Sequence, residues 1–557
     1  MSGNMDIFVA QAHPIMKKSL TIMLGALASL VCAAQRPQLP PPPENVVHSF
    51  RNYLPAADDS RSYNMAPVFF VYPDGRLDKA GAEKLVEDLG MADAAKGNHW
   101  SVFVVNPVGE KYEAGKDFEA FKQLFNAQYT VTNLKVVGIG AGATFVNQVL
   151  AKDAGAIAGI LTVGGKPAKE KSYPYPVPVM VAGKGAAKAA KPYQATNRPL
   201  EAAEPLLKTV VTTETALKPL FQKAWDEVFS RNYRFNNEGH TWYEGSKYGE
   251  FGVYELEPYM IPEHFGVERR IVTQEHAGTK DWLWYEYFPE GTLDAPAKSV
   301  PLMVLLHGNT NDPRTQAETS GFIELAGEEK FVVAELEWQG SDTHGAMGHD
   351  GIETVIYQLL DKYPQLDPSR IYAEGLSAGS ITSTALGIKK SHLFTAVGGH
   401  SGGIFAVARF CEENALLDEA TQKSGFVEMP YCSVLGSADK VVPFIAPDDY
   451  KGNGYLKAWN AYEKMNGVPV VSELNFNVDP VFGFALSNRQ RIVTAKGNNI
   501  TVETGEVLKG DIPVVKIIAV MNYGHWNFKP TARMMWDYFS QFSRDPQTKR
   551  LIYHPAK

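Results

Sequence analysis

A chain of 557 residues exceeds what one hydrophobic core supports, because single cores stop growing near ~250–300 residues, so two or three domains are expected. Hydrophobic residues at 45% and charged residues at 21% exclude a chain disordered throughout and a polytopic membrane protein. The net charge of −8 offers no basic field to a phosphate backbone, which argues against a nucleic-acid partner.

At the N-terminal end, Met16-Lys17-Lys18 is a short basic stretch and Leu20 to Val31 is apolar but too short to span a bilayer. Val31-Cys32-Ala33-Ala34 then supplies the small residues a signal peptidase needs. Residues 1–34 read as a cleaved secretory signal with Met16 as its expected start, and the mature chain as secreted or periplasmic without a stable membrane span. A lipid anchor on Cys32 fits less well, because Ser29-Leu30-Val31 lacks the usual Leu three residues before the Cys. Residues 35–49 form a Pro-rich spacer around Pro40 to Pro43, extended by its own stereochemistry. Cleavage leaves Cys411 and Cys432, and two readings stay open: a disulfide, or two separate buried thiols.

From residue 50 onward, short Val/Ile-rich runs separated by helical lengths predict an α/β architecture with a mostly parallel sheet covered on both faces. The pattern runs twice. Runs at Val68–Val71, Val102–Val105, Leu134–Val137, Ile157–Val163, Val177–Ala182 and Leu206–Val211 are followed by Pro301–Leu306, Phe331–Glu335, Ile371–Glu374, Leu393–Val397, Tyr431–Leu435 and Val514–Met521. Punctuation repeats as well. Gly138-Ile139-Gly140-Ala141-Gly142 answers Gly375-Leu376-Ser377-Ala378-Gly379, Gly164-Gly165 answers Gly398-Gly399, and Gly183 answers Gly436. Lys218-Pro219 before Trp225-Asp226 answers Lys529-Pro530 before Trp536-Asp537 at the same spacing. These matches predict a tandem repeat of one fold, with units at 50–233 and 234–557. The aromatic-rich stretch 234–299, including Trp242 and the run Asp281 to Tyr287, would hold the joint and leading antiparallel strands of the second unit. An excursion from Val468 to Gly510 reads as β, with Gly497-Asn498-Asn499 turning a hairpin.

Gly375-Leu376-Ser377-Ala378-Gly379 fits a strand–turn–helix elbow that holds a nucleophilic Ser, with glycines where no side chain fits. Gly399-His400-Ser401-Gly402-Gly403 matches the same pattern. It would consume the next sheet strand, however, and it lies far from His307-Gly308, so Ser377 is the preferred nucleophile and Ser401 is read as a loop residue beside the pocket. A Ser of ordinary pKa needs a base, and the base an acid, in the order Ser, Asp, His. Asp439 follows the strand Tyr431–Leu435 and is preferred over Asp448 and Asp449; His525 follows the last core strand. Backbone N–H groups of Ala378 and of Asn309 or Thr310 would receive an oxyanion. His307, Trp338, Ser401, Tyr523 and Trp526 fall beside strand C-termini, where substrates bind in such sheets.

On these residues the stretch from Asp281 to Arg544 resembles the secreted α/β-hydrolase esterases of the poly(3-hydroxybutyrate) depolymerase and feruloyl esterase type. The segments that carry the likeness are Pro301 to Gly308, Asp367 to Gly379, Gly436 with Asp439 and Pro443, and Gly524-His525. The resemblance implies tandem α/β-hydrolase-like domains, a Ser377–Asp439–His525 triad, no cofactor, and a small-molecule or polymeric ester substrate. Asn309, Ser380 and Trp526 depart from the family pattern. At the triad positions the first unit has Gly140, about Ala186, and Glu214, so it is expected to be catalytically dead. His344 and His349 with Asp342 and Asp350 are poorly spaced for a metal and read as a loop, so no metal is expected. Gly138 to Gly142 lacks the acidic partner of a dinucleotide loop. Two other classes stay open: a serine peptidase, though no propeller-like repeat precedes the hydrolase unit, and a non-catalytic binding protein.

Overall fold

The computed structural model of the protein describes residues 39–52, 66–97, 100–128, 133–202, 205–235, 248–249, 255–258, 260–276, 278–309, 311, 313–341, 343–403, 428–439, 441–442, 454–493 and 500–555. Residues 1–38, which include Cys32 and the expected signal, together with Trp242, Thr310, Asp342, Cys411, Pro443, Asp448, Asp449 and Gly497–Asn499, lie outside the described residues. Among the described residues no helix is long and apolar enough to cross a membrane.

The first unit is a seven-stranded sheet built from β1 (Val46–Asn52), β2 (Val68–Tyr72), β3 (Trp100–Val105), β4 (Leu134–Ile139), β5 (Ile157–Val163), β6 (Val179–Ala182) and β7 (Thr209–Thr212). Its order is β1-β3-β2-β4-β5-β6-β7, parallel except for β1 at the edge. A short hairpin, β8 (Asn232–Phe235) with β9 (Glu255–Pro258), follows it. The second unit has β10 (Val267–Gln274), β11 (Trp282–Pro289), β12 (Val300–Leu306), β13 (Val332–Leu336), β14 (Leu366–Gly375), β15 (Ala396–His400), β16 (Tyr431–Gly436), β17 (Ser487–Val493), β18 (Thr501–Lys509) and β19 (Ile512–Val520). These pair as β10-β11-β13-β12-β14-β15-β16-β19-β18-β17, and a hairpin of β20 (Phe542–Arg544) and β21 (Leu551–Tyr553) closes the chain.

Without β10, β17 and β18, the second sheet has the first sheet's strand order and strand directions. The likeness extends to side chains. Trp225 packs on Trp100 at the start of β3 with ring centroids 4.6 Å apart, and Trp536 stacks on Phe331, just before β13, at 4.1 Å. Arg234 donates from Nε to the carbonyl of Ile157 and from its guanidinium to Pro176 O, tying the closing hairpin to β5. Arg544 does the same from β20, donating to Phe394 O and Glu428 O. Each buried guanidinium is thus satisfied by main-chain carbonyls, as burial of a charge requires.

Every apolar run expected as a strand overlaps one; β14 begins at Leu366, ahead of the run 371–374, and at 393–397 the strand β15 begins only at Ala396. The central strands are buried on both faces, which explains their unbroken hydrophobicity. Leu302, Val304 and Leu306 of β12 enter one core with Ile352, Val355 and Trp459, while Met303 and Leu305 enter the opposite one with Phe322, Ile323 and Trp536. The excursion 468–510 supplies β17 and β18, which extend the sheet beyond β19 by antiparallel pairing. The expected boundary at 233/234 falls within β8, and β1 starts at Val46, inside the expected spacer. Tyr233 of β8 is buried in the core of the second sheet, with the Lys529 ammonium 5.3 Å over its ring. Cys432, in β16, is a buried thiol bonded to no cysteine among the described residues, and burial pushes its pKa up to about 12.

Candidate active site

The elbow forms where β14 runs into the helix Ala378–Lys389. Ser377 adopts φ 54° and ψ −114°, a strained conformation for a residue with a side chain. The turn is that tight because the helix must start directly beneath the strand end. A Cβ on Gly379 would lie 1.9 Å from Leu306 O, and one on Gly375 2.3 Å from the carbonyl carbon of Gly379. Only glycine fits at either place, which is the physical content of the Gly-x-Ser-x-Gly pattern.

Ser377 Oγ lies 2.8 Å from His525 Nε2, and His525 Nδ1 lies 2.7 Å from Asp439 Oδ2. An ionised carboxylate can only accept, so the imidazole proton sits on Nδ1 and Nε2 is left to accept from the serine hydroxyl. Asp439 is held in turn by the N–H groups of Val441 and Val442, which donate to Oδ1 at 2.8 and 2.9 Å. Asp439 and His525 are buried and Ser377 is half-buried. The loop carrying His525 is fixed on several sides: Tyr523 O accepts from Ala438 N–H at 2.8 Å, and the Tyr523 hydroxyl donates to Asn527 O at 2.6 Å. The Asn527 amide pairs with Gln316, whose Oε1 accepts at 3.1 Å.

Gly308 borders the nucleophile, since a Cβ built on it would stand 3.5 Å from Ser377 Cβ. The N–H of Ala378, at the first helical position, has no acceptor within its own helix and lies at the positive end of the helix dipole. The first unit shows what such a group does. Gly140 has φ 55° and ψ −112°, the backbone conformation of Ser377, and Ala141 N–H donates to Asp74 Oδ1 at 2.6 Å. Asp74 occupies the position of Gly308, because Tyr72 pairs with Gly138 as Leu306 pairs with Gly375. An internal carboxylate therefore sits on the N–H equivalent to Ala378. A serine at position 140 would collide with it, its Cβ only 1.8 Å from Asp74 Oδ1. Ala186 repeats the Asp439 turn, donating its N–H to Gly183 O at 3.2 Å as Asp439 does to Gly436 O. Glu214 accepts from Thr215 and Ala216 N–H just before the helix Leu217–Glu227.

One repeat pairing from the sequence is corrected. Ser377 N–H donates to His400 O and Gly140 N–H to Val163 O, both at 2.8 Å, so Gly164-Gly165 answers Ser401-Gly402 and not Gly398-Gly399. The sequence pattern hid this because the strand β15 itself contains two glycines.

Ser401 is fully buried, and its hydroxyl lies 2.9 Å from His400 Nδ1 rather than against His525. His307 is buried with Nε2 3.2 Å from Glu337 Oε1, and Tyr523 is buried against Phe528. These three of the expected pocket residues therefore use their polar groups inside the protein. Trp338 is half-buried and donates from its indole to His307 O at 2.9 Å; Asn309 Oδ1 accepts from Gln339 Nε2 at 3.2 Å. Trp526 is 8% exposed, and its indole N–H meets no acceptor among the described residues. His344 is buried with Nδ1 2.9 Å from Thr343 Oγ1, and no cluster of three metal-ligating side chains occurs among the described residues. In the sequence, Tyr72 to Gly75 answers Leu306 to Gly308 and His400 lies in the second elbow pattern, but the roles of Asp74, His400 and the Gln316–Asn527 pair come from partners far away in the chain.

Residues 284–462 match the family model described as esterase PHB depolymerase. The match includes Ser377 and Asp439 and ends before His525. The second sheet with its elbow has an α/β-hydrolase fold, and over residues 284–462 the chain resembles this esterase family. Among solved structures, the chain is similar to an acetyl xylan esterase from Aspergillus awamori at 15% identity, over 49% of this chain and 99% of that one, with a TM-score of 0.36. It is similar to a fluorophosphonate-binding serine hydrolase of Staphylococcus aureus at 17% identity, over 37% and 88%, with a TM-score of 0.29. It is also similar to an acylaminoacyl peptidase of Pyrococcus horikoshii at 14% identity, over 39% and 40%, with a TM-score of 0.27. Among curated protein sequences there is no significant match.

Proposed function

We propose that the protein is a secreted or periplasmic serine esterase that cleaves carboxylic esters, of feruloyl, acetyl or polyester type, through an acyl-enzyme. The observation that carries this reading is the hydrogen-bonded line Ser377–His525–Asp439 on a strained elbow. Ser377 Oγ attacks the ester carbonyl while His525 Nε2 takes its proton. Asp439 holds the imidazole in the Nδ1–H tautomer and stabilises the imidazolium that forms. The Ala378 N–H and a donor from the 309–310 loop receive the oxyanion. His525 then protonates the leaving alkoxide, and a water deacylates Ser377 by the same route. The first unit, with Gly140 in the elbow and Asp74 on its N-terminal N–H, carries none of these steps and is read as a degenerate copy of the same fold.

The test is hydrolysis of a p-nitrophenyl acetate and butyrate series, with the corresponding p-nitroanilides as the peptidase arm. Ser377→Ala is expected to lose ester hydrolysis and covalent labelling by a fluorophosphonate, with the folded state intact by circular dichroism. Full activity in that variant would reject the reading, and faster turnover of anilides than esters would replace esterase by peptidase.

A further inference from the structure

His400 is a buried imidazole that the triad does not use. It ends β15, and its carbonyl accepts the N–H of the nucleophile Ser377 at 2.8 Å. Its ring reaches the other side of the site, where Nε2 lies 3.2 Å from the backbone N of Phe528, three residues beyond the base His525. A backbone N–H can only donate, so Nε2 is the acceptor and the ring proton sits on Nδ1, from which it donates to Ser401 Oγ at 2.9 Å. One residue thus bonds the backbone of the nucleophile turn and the backbone of the base loop, whose relative placement sets the 2.8 Å contact between Ser377 and His525.

The repeat within the chain separates the two halves of this arrangement. Val163 occupies the position of His400 and keeps the carbonyl bond, to Gly140 N–H at 2.8 Å, but has no ring. The backbone half is therefore a property of the fold, and the imidazole half goes with the unit that contains the triad. Burial, and secondarily the neighbouring His525, depress the His400 pKa to about 3, so the ring keeps its acceptor at Nε2 and adds no second cation beside the imidazolium of the reaction.

We propose that His400 is a positioning residue for the serine-hydrolase reaction, its neutral Nδ1–H ring locking the His525 loop to the nucleophile turn through Phe528 N–H. The proposal rests on the serine-esterase reading above. Displacing a catalytic group by about 1 Å costs on the order of 10²-fold, which sets the scale.

The experiment compares His400→Gln, whose carbonyl can stand where Nε2 stands, with His400→Asn and His400→Leu, which cannot reach Phe528. Rates on p-nitrophenyl butyrate are measured per active site titrated with a phosphonate. The expected result is a kcat lower by ~10–100-fold in the Asn and Leu variants, with KM changed by less than ~3-fold and most of the loss recovered in the Gln variant. A purely structural role would lower the melting temperature in all three without this kcat ranking. Asn and Leu variants within ~2-fold of wild-type kcat, or a Gln variant no better than Leu, would overturn the proposal. In the wild-type protein, histidine-selective nitrogen NMR is expected to show one neutral Nδ1–H ring that does not titrate down to about pH 4; an Nε2–H tautomer there refutes the proposal even if every variant fails to fold. Loss of activity in Ser377→Ala alongside unchanged His400 variants would reject the positioning role and leave the esterase reading standing.

Discussion

Replacing Asp439 by Asn tests the proposed acid of the triad in a way the structure makes quantitative. The Asp439 Oδ1 atom is committed to two backbone donors, Val441 N–H at 2.8 Å and Val442 N–H at 2.9 Å, which cannot turn away. An asparagine must therefore place its carbonyl oxygen there and its NH₂ where Oδ2 now faces His525 Nδ1 at 2.7 Å. The amide donates to Nδ1, the imidazole proton moves to Nε2, and Nε2–H then points at Ser377 Oγ and cannot take its proton. The protein should fold normally, because the amide satisfies the same backbone bonds, while the base is held in the wrong tautomer. In another serine hydrolase the same change costs ~10⁴ in kcat, and on this geometry a similar fall is expected, equivalent to ~5 kcal/mol of barrier. The assay is kcat/KM on p-nitrophenyl butyrate from pH 6 to 9, normalised to folded protein. Retention of more than about a tenth of wild-type kcat would refute the reasoning and point to Asp448 or Asp449 as the acid.

Ser401→Ala should leave kcat within ~5-fold and lower stability by ~1 kcal/mol, the worth of one buried hydrogen bond, read from urea unfolding; a dead Ser401→Ala enzyme would restore the second elbow as a candidate. Glu374 is fully buried just before the elbow, and burial raises its pKa to about 8 despite a hydrogen bond to Gln316. Its folded pKa lies above the unfolded one, so its proton is held more tightly by the native state: its favourable contribution is complete below the ordinary carboxylate range and falls away as pH rises to about 8. Glu374→Gln should therefore gain stability over wild type as pH rises from 5 to 8, with an upper bound of ~4–5 kcal/mol, measured as the urea midpoint against pH. Equal pH dependence in the two proteins would refute the shift. Gly140→Ser in a Ser377→Ala background should stay inactive and be destabilised, because its side chain meets Asp74; measurable ester hydrolysis there would contradict the account of the first unit.

What was legible in the sequence is what local chemistry enforces. The Val/Ile runs announced strands because a sheet buried on both faces has no polar side to display, and the twin glycines around Ser377 announced the elbow because a Cβ at 375 or 379 would strike backbone. Ser377, Asp439 and His525 could be proposed as a triad from the elbow pattern and the chain order together, since each lies just past the end of a different strand. The offset at 393–397 had a local cause too: Leu393 and Phe394 are buried before the strand begins, so burial alone placed β15 too early.

Other features follow only from contacts between distant segments. Ser401 and Ser377 sit in the same pattern, yet only Ser377 lies against His525, because Ser401 is taken up by the ring of His400, which also accepts from Phe528 N–H. Asp74 was one polar residue in a Pro-Asp-Gly turn until the fold set it on Ala141 N–H, 67 positions away. The shared strand order of the two units, their matching Arg234 and Arg544 contacts, and the burial of Tyr233 in the second core depend on pairings that leave no periodic trace in either partner. The sequence by itself determined which chemistry this chain can attempt, because side-chain types and glycine sterics are local. Only the tertiary structure set which serine lies against His525 and which residues hold that loop in place, because a hydrogen bond is settled by distance in space rather than separation along the chain.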